Sequence, residues 1–218
     1  MAVKYTQSEE WANALSHGIG CLLGGAGGAY LLHIAYKAGD TWAIVGMTLY
    51  IIGVMASYGA STLYHAWKPS ATKDQLRKCD HAAIYLHIAG SYSPILLVLF
   101  RQEAPVWGWS LFALLWICTL IGHITSYKGL KEHSHIKTIC FVAMGCSIFI
   151  PFKTFYEITP SPVIYCLLGE GVSYITGALF YTLHKYKYMH SIFHLFCLGG
   201  TFFHLLALAY MFIAMSYL

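Results

Sequence analysis

Four short polar clusters stand out in this 218-residue chain because each contains a histidine close to another polar side chain. One is an HxxxH motif, His190 and His194, and another places Ser61 and His65 at the same spacing of four. Residues four apart project from one face of a helix, so His190 and His194 could hold one metal ion. A third histidine from another helix would leave the fourth position of a zinc ion open to water. Such an ion lowers the pKa of its water to about 7 and creates a nucleophile.

The other polar residues could supply the groups that hydrolysis needs beside a metal. Asp80 could accept a proton from the water, and Ser61 could donate a hydrogen bond to a developing oxyanion. Glu10, Asn13 and His17 are spaced by three and four residues and therefore share one helical face. We predict that the zinc ligands are His65, His190 and His194 and that the catalytic residues are Asp80 and Ser61. The polar set around them is predicted to be Glu10, Asn13 and His17.

Each of these residues also has an ordinary structural interpretation. The three histidines could hold a structural zinc ion or only form hydrogen bonds between helices. Asp80 could cap the third helix, where an acidic residue meets the positive end of the helix dipole, and Ser61 could bond to its own backbone. Glu10 and Asn13 could cap the first helix. His17 could orient a ligand or simply be a packed polar residue.

The elements that must position these residues are membrane helices. The chain is 58% hydrophobic and only 10% charged, whereas soluble domains carry roughly 25% charged residues. This composition excludes a disordered chain and argues against a soluble globule. Because about 20 apolar residues span a bilayer, the charge-poor stretches predict an all-α, polytopic membrane protein with one seven-helix domain over 1–218. The predicted helices are 12–36, 42–66, 82–100, 106–126, 137–156, 163–184 and 190–216.

The basic residues predict the orientation of this bundle. Ten of the thirteen Lys and Arg residues fall on one side, which predicts a cytoplasmic N-terminus and an extracytoplasmic C-terminus. The net charge of +4 therefore needs no nucleic-acid partner. This topology brings all four polar clusters to the cytoplasmic side at one depth, and such groups usually face a bundle interior. The sequence therefore predicts one shared site.

Polar and small residues inside the spans give three further predictions. Glu170 is a lone acid in the sixth helix and should face inward, with Lys153 or a histidine as its partner. His204 should form a hydrogen bond between helices rather than bind the metal. Gly24 and Gly28 form a GxxxG motif, which favours close helix packing.

The order of the polar elements resembles the hemolysin III group of the progestin and adipoQ receptor family, within a wider superfamily that includes alkaline ceramidases. The resemblance rests on an E-x2-N-x3-H element, an S-x3-H element, an aspartate and an HxxxH motif, with typical sequence at 80–94 and at 194–196. It implies seven helices and a zinc ion held by His65, His190 and His194. It also implies that Asp80 positions or activates the water and that Ser61 completes the polar set.

The resemblance implies several activities. Family members studied as enzymes look like hydrolases of lipid amides or esters, others act as receptors, and the hemolysin name implies membrane lysis. We expect a zinc-dependent hydrolase with a lipid substrate, acting in membrane lipid homeostasis as a multi-pass protein of a bacterial inner membrane. The alternatives are a lytic protein and a seven-helix receptor with structural zinc. We disfavour a pore because polar residues thin out toward the outer half.

Overall fold

The computed structural model describes residues 5–127, 135–183 and 185–218, and within them all regular structure is helical. Lys4, Lys128 and Lys131, which contribute to the predicted charge bias, lie outside the described residues. The helices in chain order are α1 Gln7–Ala38, α2 Thr41–Ala66, α3 Ala71–Pro94, α4 Pro105–Tyr127, α5 His135–Gly145, α6 Phe152–Ile158, α7 Ser161–Thr182 and α8 Met189–Ala214.

Six of these helices are long and apolar enough to cross a membrane: α1, α2, α3, α4, α7 and α8. The third continues past Pro94 through a π-helical stretch, Ile95–Phe100, and a last turn, Arg101–Glu103. A wider turn at this point is expected because proline has no N–H with which to continue the α-helical bonding. The predicted all-α, polytopic membrane fold is confirmed.

The third helix begins earlier than the sequence predicts. The expected start was residue 82, at the edge of the charge-free run, but α3 begins at Ala71 with Ser70 as its N-cap. The Ser70 hydroxyl accepts a hydrogen bond from the backbone N–H of Lys73 at 3.3 Å. Hydropathy shows which part of the helix lies in the membrane, whereas the N-cap determines where the helix begins. The charged first turns of α3 therefore lie outside the apolar stretch.

The predicted fifth span is interrupted. Instead of one helix over 137–156, the structure has α5, a 3₁₀ turn at Ser147–Phe149, and then α6. Gly145 ends α5 and Pro151 precedes α6. Glycine and proline are the two weakest helix formers, and proline also removes a backbone donor. The break therefore has a local cause in the sequence.

The interrupted segment nevertheless runs along α3 and its π-helical continuation, from Tyr85 to Phe100. Its successive contacts follow α3 in order. The Phe141 ring packs on Tyr85 at 4.6 Å, the Gly145 carbonyl accepts from the Tyr92 hydroxyl at 2.5 Å, and the Phe155 ring stacks with the last turns of α3 through Phe100 at 6.5 Å. The segment is therefore parallel to α3.

Small residues allow α1, α2 and α3 to approach closely. A Cβ on Gly24 would lie 2.6 Å from Cγ2 of Val54 on α2, and one on Gly28 would lie 2.9 Å from Cε1 of Tyr50. The predicted packing role of this GxxxG motif is confirmed. On the other side of α2, a Cβ on Gly53 would collide with the carbonyl oxygen of Leu86. These contacts fix the distance between the helices that carry the polar clusters.

Glu9 joins the beginning of α1 to the beginning of α8. Thr6 and Glu9 form a capping box, in which Glu9 Oε2 accepts from the Thr6 backbone N–H at 2.9 Å. The other oxygen, Oε1, accepts from the backbone N–H of Tyr188 at 2.9 Å. Tyr188 has a φ of 62° and precedes α8, so its N–H would otherwise lack an intrahelical partner. This link places the polar face of α1 beside the HxxxH motif.

Candidate metal centre

The end of α2 and the first turns of α8 bring His65, His190 and His194 together. Each offers one ring nitrogen, and these three atoms lie within 4.8 Å of one another. His65 and His194 are only 2% and 1% exposed, and His190 is partly buried. The predicted convergence of the three histidines is confirmed, and the group could hold a metal ion.

The nitrogen positions fit a metal with imidazole ligands. Nε2 of His194 and Nε2 of His190 are 3.1 Å apart. Two nitrogens bound tetrahedrally at about 2.0–2.1 Å are separated by about 3.3 Å. Nε2 of His65 is buried without a protein partner among the described residues. Imidazole suits zinc, copper, iron and nickel, so the donor set alone leaves the identity of the ion open.

His65 is oriented by a carboxylate. Its Nδ1 lies 2.7 Å from Glu10 Oε2, and Lys73 Nζ donates to Glu10 Oε1 at 2.7 Å. Because Lys73 holds Glu10 as an ionised acceptor, Nδ1 of His65 must carry the hydrogen. The lone pair is then on Nε2, which faces the other two histidines. Carboxylate–histidine pairs of this kind orient metal ligands in many proteins.

His194 is oriented by α1. Its Nδ1 lies 3.0 Å from Ser16 Oγ and 3.2 Å from the backbone carbonyl of Asn13. The Ser16 hydroxyl already donates to that same carbonyl at 2.9 Å, so Nδ1 of His194 is the donor here. Its lone pair is therefore on Nε2, toward His190. The Asn13 side chain in turn accepts from the Ser191 hydroxyl at 2.6 Å, which ties α1 to α8 next to the site.

His17 contacts the site by stacking rather than by a hydrogen bond. Its ring lies parallel to that of His194, with centroids 3.4 Å apart and an interplanar angle of 8°. It also makes an edge-on contact with Tyr58, with ring centroids 4.9 Å apart. Neither ring nitrogen of His17 has a hydrogen-bond partner in the described part of the chain. His17 therefore packs against one of the three histidines, and its contact fixes the plane of the His194 ring.

Asp80 and Ser61 lie beside the histidines. Ser61 is 2% exposed, one turn before His65. Its hydroxyl interacts with the Asp80 carboxylate, which also lies in the electrostatic field of His65 and His81. The Asp80 side chain is 18% exposed, and one of its oxygens is 3.8 Å from Nδ1 of His81. A carboxylate and a hydroxyl therefore border the triple-histidine group.

Neither Asp80 nor Glu10 is the capping residue of its helix. Ser70 caps α3, and Asp80 lies nearly three turns further along that helix. Thr6 caps α1 together with Glu9, whereas Glu10 binds His65 and Lys73. Both residues therefore have interactions other than the capping ones that their positions suggested.

Several residues near the site were not predicted from the sequence: Tyr5, Glu9, Ser16, Lys73 and Ser191. Ser16 is three residues after Asn13, so helical spacing could have placed it on the polar face. The Tyr5 ring stacks on His190 at 5.1 Å and meets His65 edge-on at 5.8 Å. Burial, with the nearby Tyr181 as a second cause, raises the pKa of Tyr5 above its ordinary value, so its hydroxyl stays protonated.

Comparison with known proteins identifies the family. A family model described as Haemolysin-III related matches residues 5–205. The chain belongs to this family. A Bacillus cereus relative named Hemolysin-3 is 36% identical over 193 residues, which are 88% of this chain and 87% of the relative. A Hemolysin-3 homolog of Bacillus subtilis (strain 168) is 34% identical over 197 residues, which are 90% and 91% of the two chains. No solved structure matches.

Family membership confirms the resemblance that the motifs indicated. Together with the six membrane-spanning helices, the bacterial Haemolysin-III relatives make this chain a multi-pass integral protein of the bacterial cell membrane.

Proposed function

We propose that this chain is a zinc-dependent hydrolase of lipid amide or ester bonds. One observation carries the proposal: three imidazoles converge, at least two with their lone pairs turned inward, next to Asp80 and Ser61. His65, His190 and His194 would hold the ion. When bound, zinc would supply Lewis acidity and activate water for hydrolysis.

The residues of the chain have separate roles in this proposal. The Asp80 carboxylate accepts the proton released as water attacks the carbonyl. The Ser61 hydroxyl donates a hydrogen bond toward the oxyanion that develops on that carbonyl. Glu10 and Ser16 hold the rings of His65 and His194 in orientation and take no part in proton transfer to the substrate.

The depth of the site supports a lipid substrate. His65 is the second-last residue of α2 and His190 is the second residue of α8. The site is therefore at the helix ends, near the boundary of the roughly 30 Å hydrocarbon core. The ester and amide bonds of membrane lipids lie in the same interfacial layer. A water-soluble substrate would gain nothing from a site at this depth.

The decisive experiment is a substrate screen on the purified protein. Lipids with labelled ester or amide bonds are incubated with metal-loaded protein, with chelator, and with chelator followed by zinc. We expect cleavage that chelator abolishes and zinc restores, and a loss of at least about 100-fold in Asp80→Asn, consistent with general-base catalysis. Glu103→Gln, at the exposed end of α3, is the control. A fully metal-loaded protein that cleaves none of these lipids would refute the proposal.

The names of the relatives favour lysis as a second candidate. One is named Hemolysin-3 and the other Hemolysin-3 homolog. Dye release from phospholipid vesicles tests it: lysis that persists in His194→Ala, with no lipid product formed, would favour a lytic role independent of the metal. A receptor with structural zinc predicts another result, in which Asp80→Asn is fully functional while His194→Ala unfolds the bundle.

A further inference from the structure

Glu170, His204 and Tyr50 meet in the interior of the bundle, away from the triple-histidine group. Glu170 Oε2 on α7 lies 2.9 Å from His204 Nδ1 on α8. The ring of Tyr50 on α2 stacks on His204 at 5.5 Å with an interplanar angle of 19°. His204 is ten residues beyond His194, which corresponds to about 15 Å along the helix. The cluster is therefore separate from the metal centre.

The predicted inward pairing of Glu170 is confirmed, with a histidine as its partner. Lys153, the other predicted partner, has a side chain that is 88% exposed and lies 3.9 Å from Glu157. The role predicted for His204, a hydrogen bond between helices, is also confirmed.

The membrane environment restricts the protonation states of the pair. An isolated charge inside a bundle in hydrocarbon is costly, so a carboxylate and an imidazole there are expected to be neutral together. Two neutral arrangements place a proton in the bond between the two side chains and give Nδ1 or the carboxyl group its partner: an ionised Glu170 with a protonated His204, or a protonated Glu170 that donates to Nδ1 of a neutral His204. In both of these arrangements Nε2 of His204 carries a hydrogen. The pair then presents one donor.

That donor and the neighbouring hydroxyl have no hydrogen-bond partner in the part of the chain that the structure describes. His204 is 3% exposed and Tyr50 is 1% exposed. Within the described residues, neither Nε2 of His204 nor the hydroxyl of Tyr50 has a hydrogen-bond partner. Buried polar groups are nearly always bonded in native proteins, so a molecule with an oxygen acceptor would complete the cluster. Because an isolated charge inside a bundle in hydrocarbon is costly, that molecule should be neutral too.

We propose that Glu170, His204 and Tyr50 form a second binding site, which holds a neutral hydroxyl-bearing molecule inside the bundle. The hydroxyl oxygen accepts from Nε2 of His204 and exchanges a hydrogen bond with the Tyr50 hydroxyl. Water and the alcohol group of a lipid share this chemistry. The site does not depend on metal binding or on hydrolysis.

Water and a lipid alcohol can be distinguished as the bound molecule in experiments on the purified full-length protein. In the first arm, 1-dodecanol is added to delipidated protein and its melting temperature is measured, with dodecane as the probe that lacks the hydroxyl. In the second arm, the infrared spectrum is recorded in ordinary water and in water labelled with oxygen-18, which shifts the O–H bands of internal water. Both arms compare wild type with Tyr50→Phe, which keeps the stacked ring. Tyr210→Phe, an exposed tyrosine on α8, is the matched control.

A lipid alcohol in the site predicts that dodecanol stabilises wild type more than dodecane does. Tyr50→Phe should then need about fivefold more dodecanol for half of the effect, since one neutral hydrogen bond is lost. Water in the site predicts no advantage of dodecanol and an isotope-sensitive band that Tyr50→Phe loses. Either result, with Tyr210→Phe unchanged, supports the proposal.

The double variant Glu170→Leu/His204→Phe provides a second test, because it removes both members of the pair and leaves neither unpaired. It should lose the same response as Tyr50→Phe. The proposal is overturned if neither arm gives a signal in wild type, or if the signal survives in Tyr50→Phe or in the double variant. Metal content is measured in parallel and should equal that of wild type, so failure here is distinguishable from failure of the hydrolase proposal.

Discussion

The two histidine clusters of this bundle differ in how their nitrogens are held. In the triple-histidine group, Nδ1 of His65 and Nδ1 of His194 are both fixed by partners on α1, so the lone pairs of Nε2 turn toward each other. In the inner cluster, His204 has one bond, to Glu170, and its Nε2 has no partner among the described residues. The first cluster presents acceptors to a cation, and the second presents a donor to a neutral oxygen.

The difference shows that the partner of a histidine decides its chemistry more than its burial does. His65, His194 and His204 are all almost completely buried. A carbonyl on Nδ1, or a carboxylate whose charge is balanced by a lysine as Lys73 balances Glu10, leaves a neutral ring with its lone pair on Nε2, which metals require. The Glu170 pair has no Lys73 beside it to balance a second charge, so it is expected to retain a proton.

The largest expected effect is the loss of the metal from the first cluster. His194→Ala should reduce bound metal from about one ion per chain to near zero, because a three-ligand site cannot lose a ligand and keep its affinity. Elemental analysis of purified protein measures this. His33→Ala, an exposed histidine on α1, should retain the metal. Equal metal content in both variants would mean that the two clusters do not differ in the way described.

The orienting carboxylate should have the next largest effect. Glu10→Gln removes the charged acceptor of His65 and should weaken metal binding by about 10- to 100-fold, as for other outer partners of metal ligands. Competition with a chromogenic chelator measures the affinity, and Glu103→Gln is the matched control. An unchanged affinity would show that His65 does not need Glu10 for its orientation.

The inner cluster should affect stability rather than metal binding. Glu170→Leu leaves His204 buried without a partner and should lower the free energy of unfolding by about 1–3 kcal/mol. Replacing both residues, as Glu170→Leu/His204→Phe, should recover most of this loss. Unfolding in detergent monitors stability, and metal content should not change. If the double variant is less stable than the single one, the pair is not a coupled unit.

The smallest effect on stability is expected for a polar contact near the membrane surface, at the end of the bundle opposite to the triple-histidine group. The Tyr217 hydroxyl donates to Asp40 Oδ2. Burial alone would raise the pKa of Asp40, but bonds from Tyr217 and from the N–H groups of Ala43 and Trp42 bring it below its ordinary value. Tyr217→Phe should cost about 1 kcal/mol at neutral pH.

The pH dependence of this contact has a definite sign. A depressed folded-state pKa contributes stability that is complete above the ordinary pKa of an aspartate and is lost as pH falls through the lower folded value. The difference between wild type and Tyr217→Phe should therefore be constant from about pH 7 to about pH 5 and shrink below about pH 4. Thermal unfolding over this range measures it, and a difference that grows on acidification would contradict the assignment.

Spacing and hydropathy predicted much of the site. The face of α1 that carries Glu10, Asn13 and His17 was correctly placed against the histidines, because residues three and four apart share a helical face. Tyr5 lies outside any helix, so no periodicity could reveal its contact with His190. The break at Gly145 and Pro151 was missed because hydropathy is continuous across it, although both residues are known helix breakers.

The sequence by itself determined the membrane class, the main helices and the common end of the four polar clusters, because apolar runs and helical spacing are local properties of the chain. Only the tertiary structure decided which atoms meet: Glu10 with His65, Ser16 with His194, and Glu170 with His204 rather than Lys153. Helical spacing tells which face a residue occupies, whereas the partner across the interface depends on the close approach of helices that glycines such as Gly24 allow. Those distances fix the protonated nitrogen of each histidine, and with it the chemistry of each cluster.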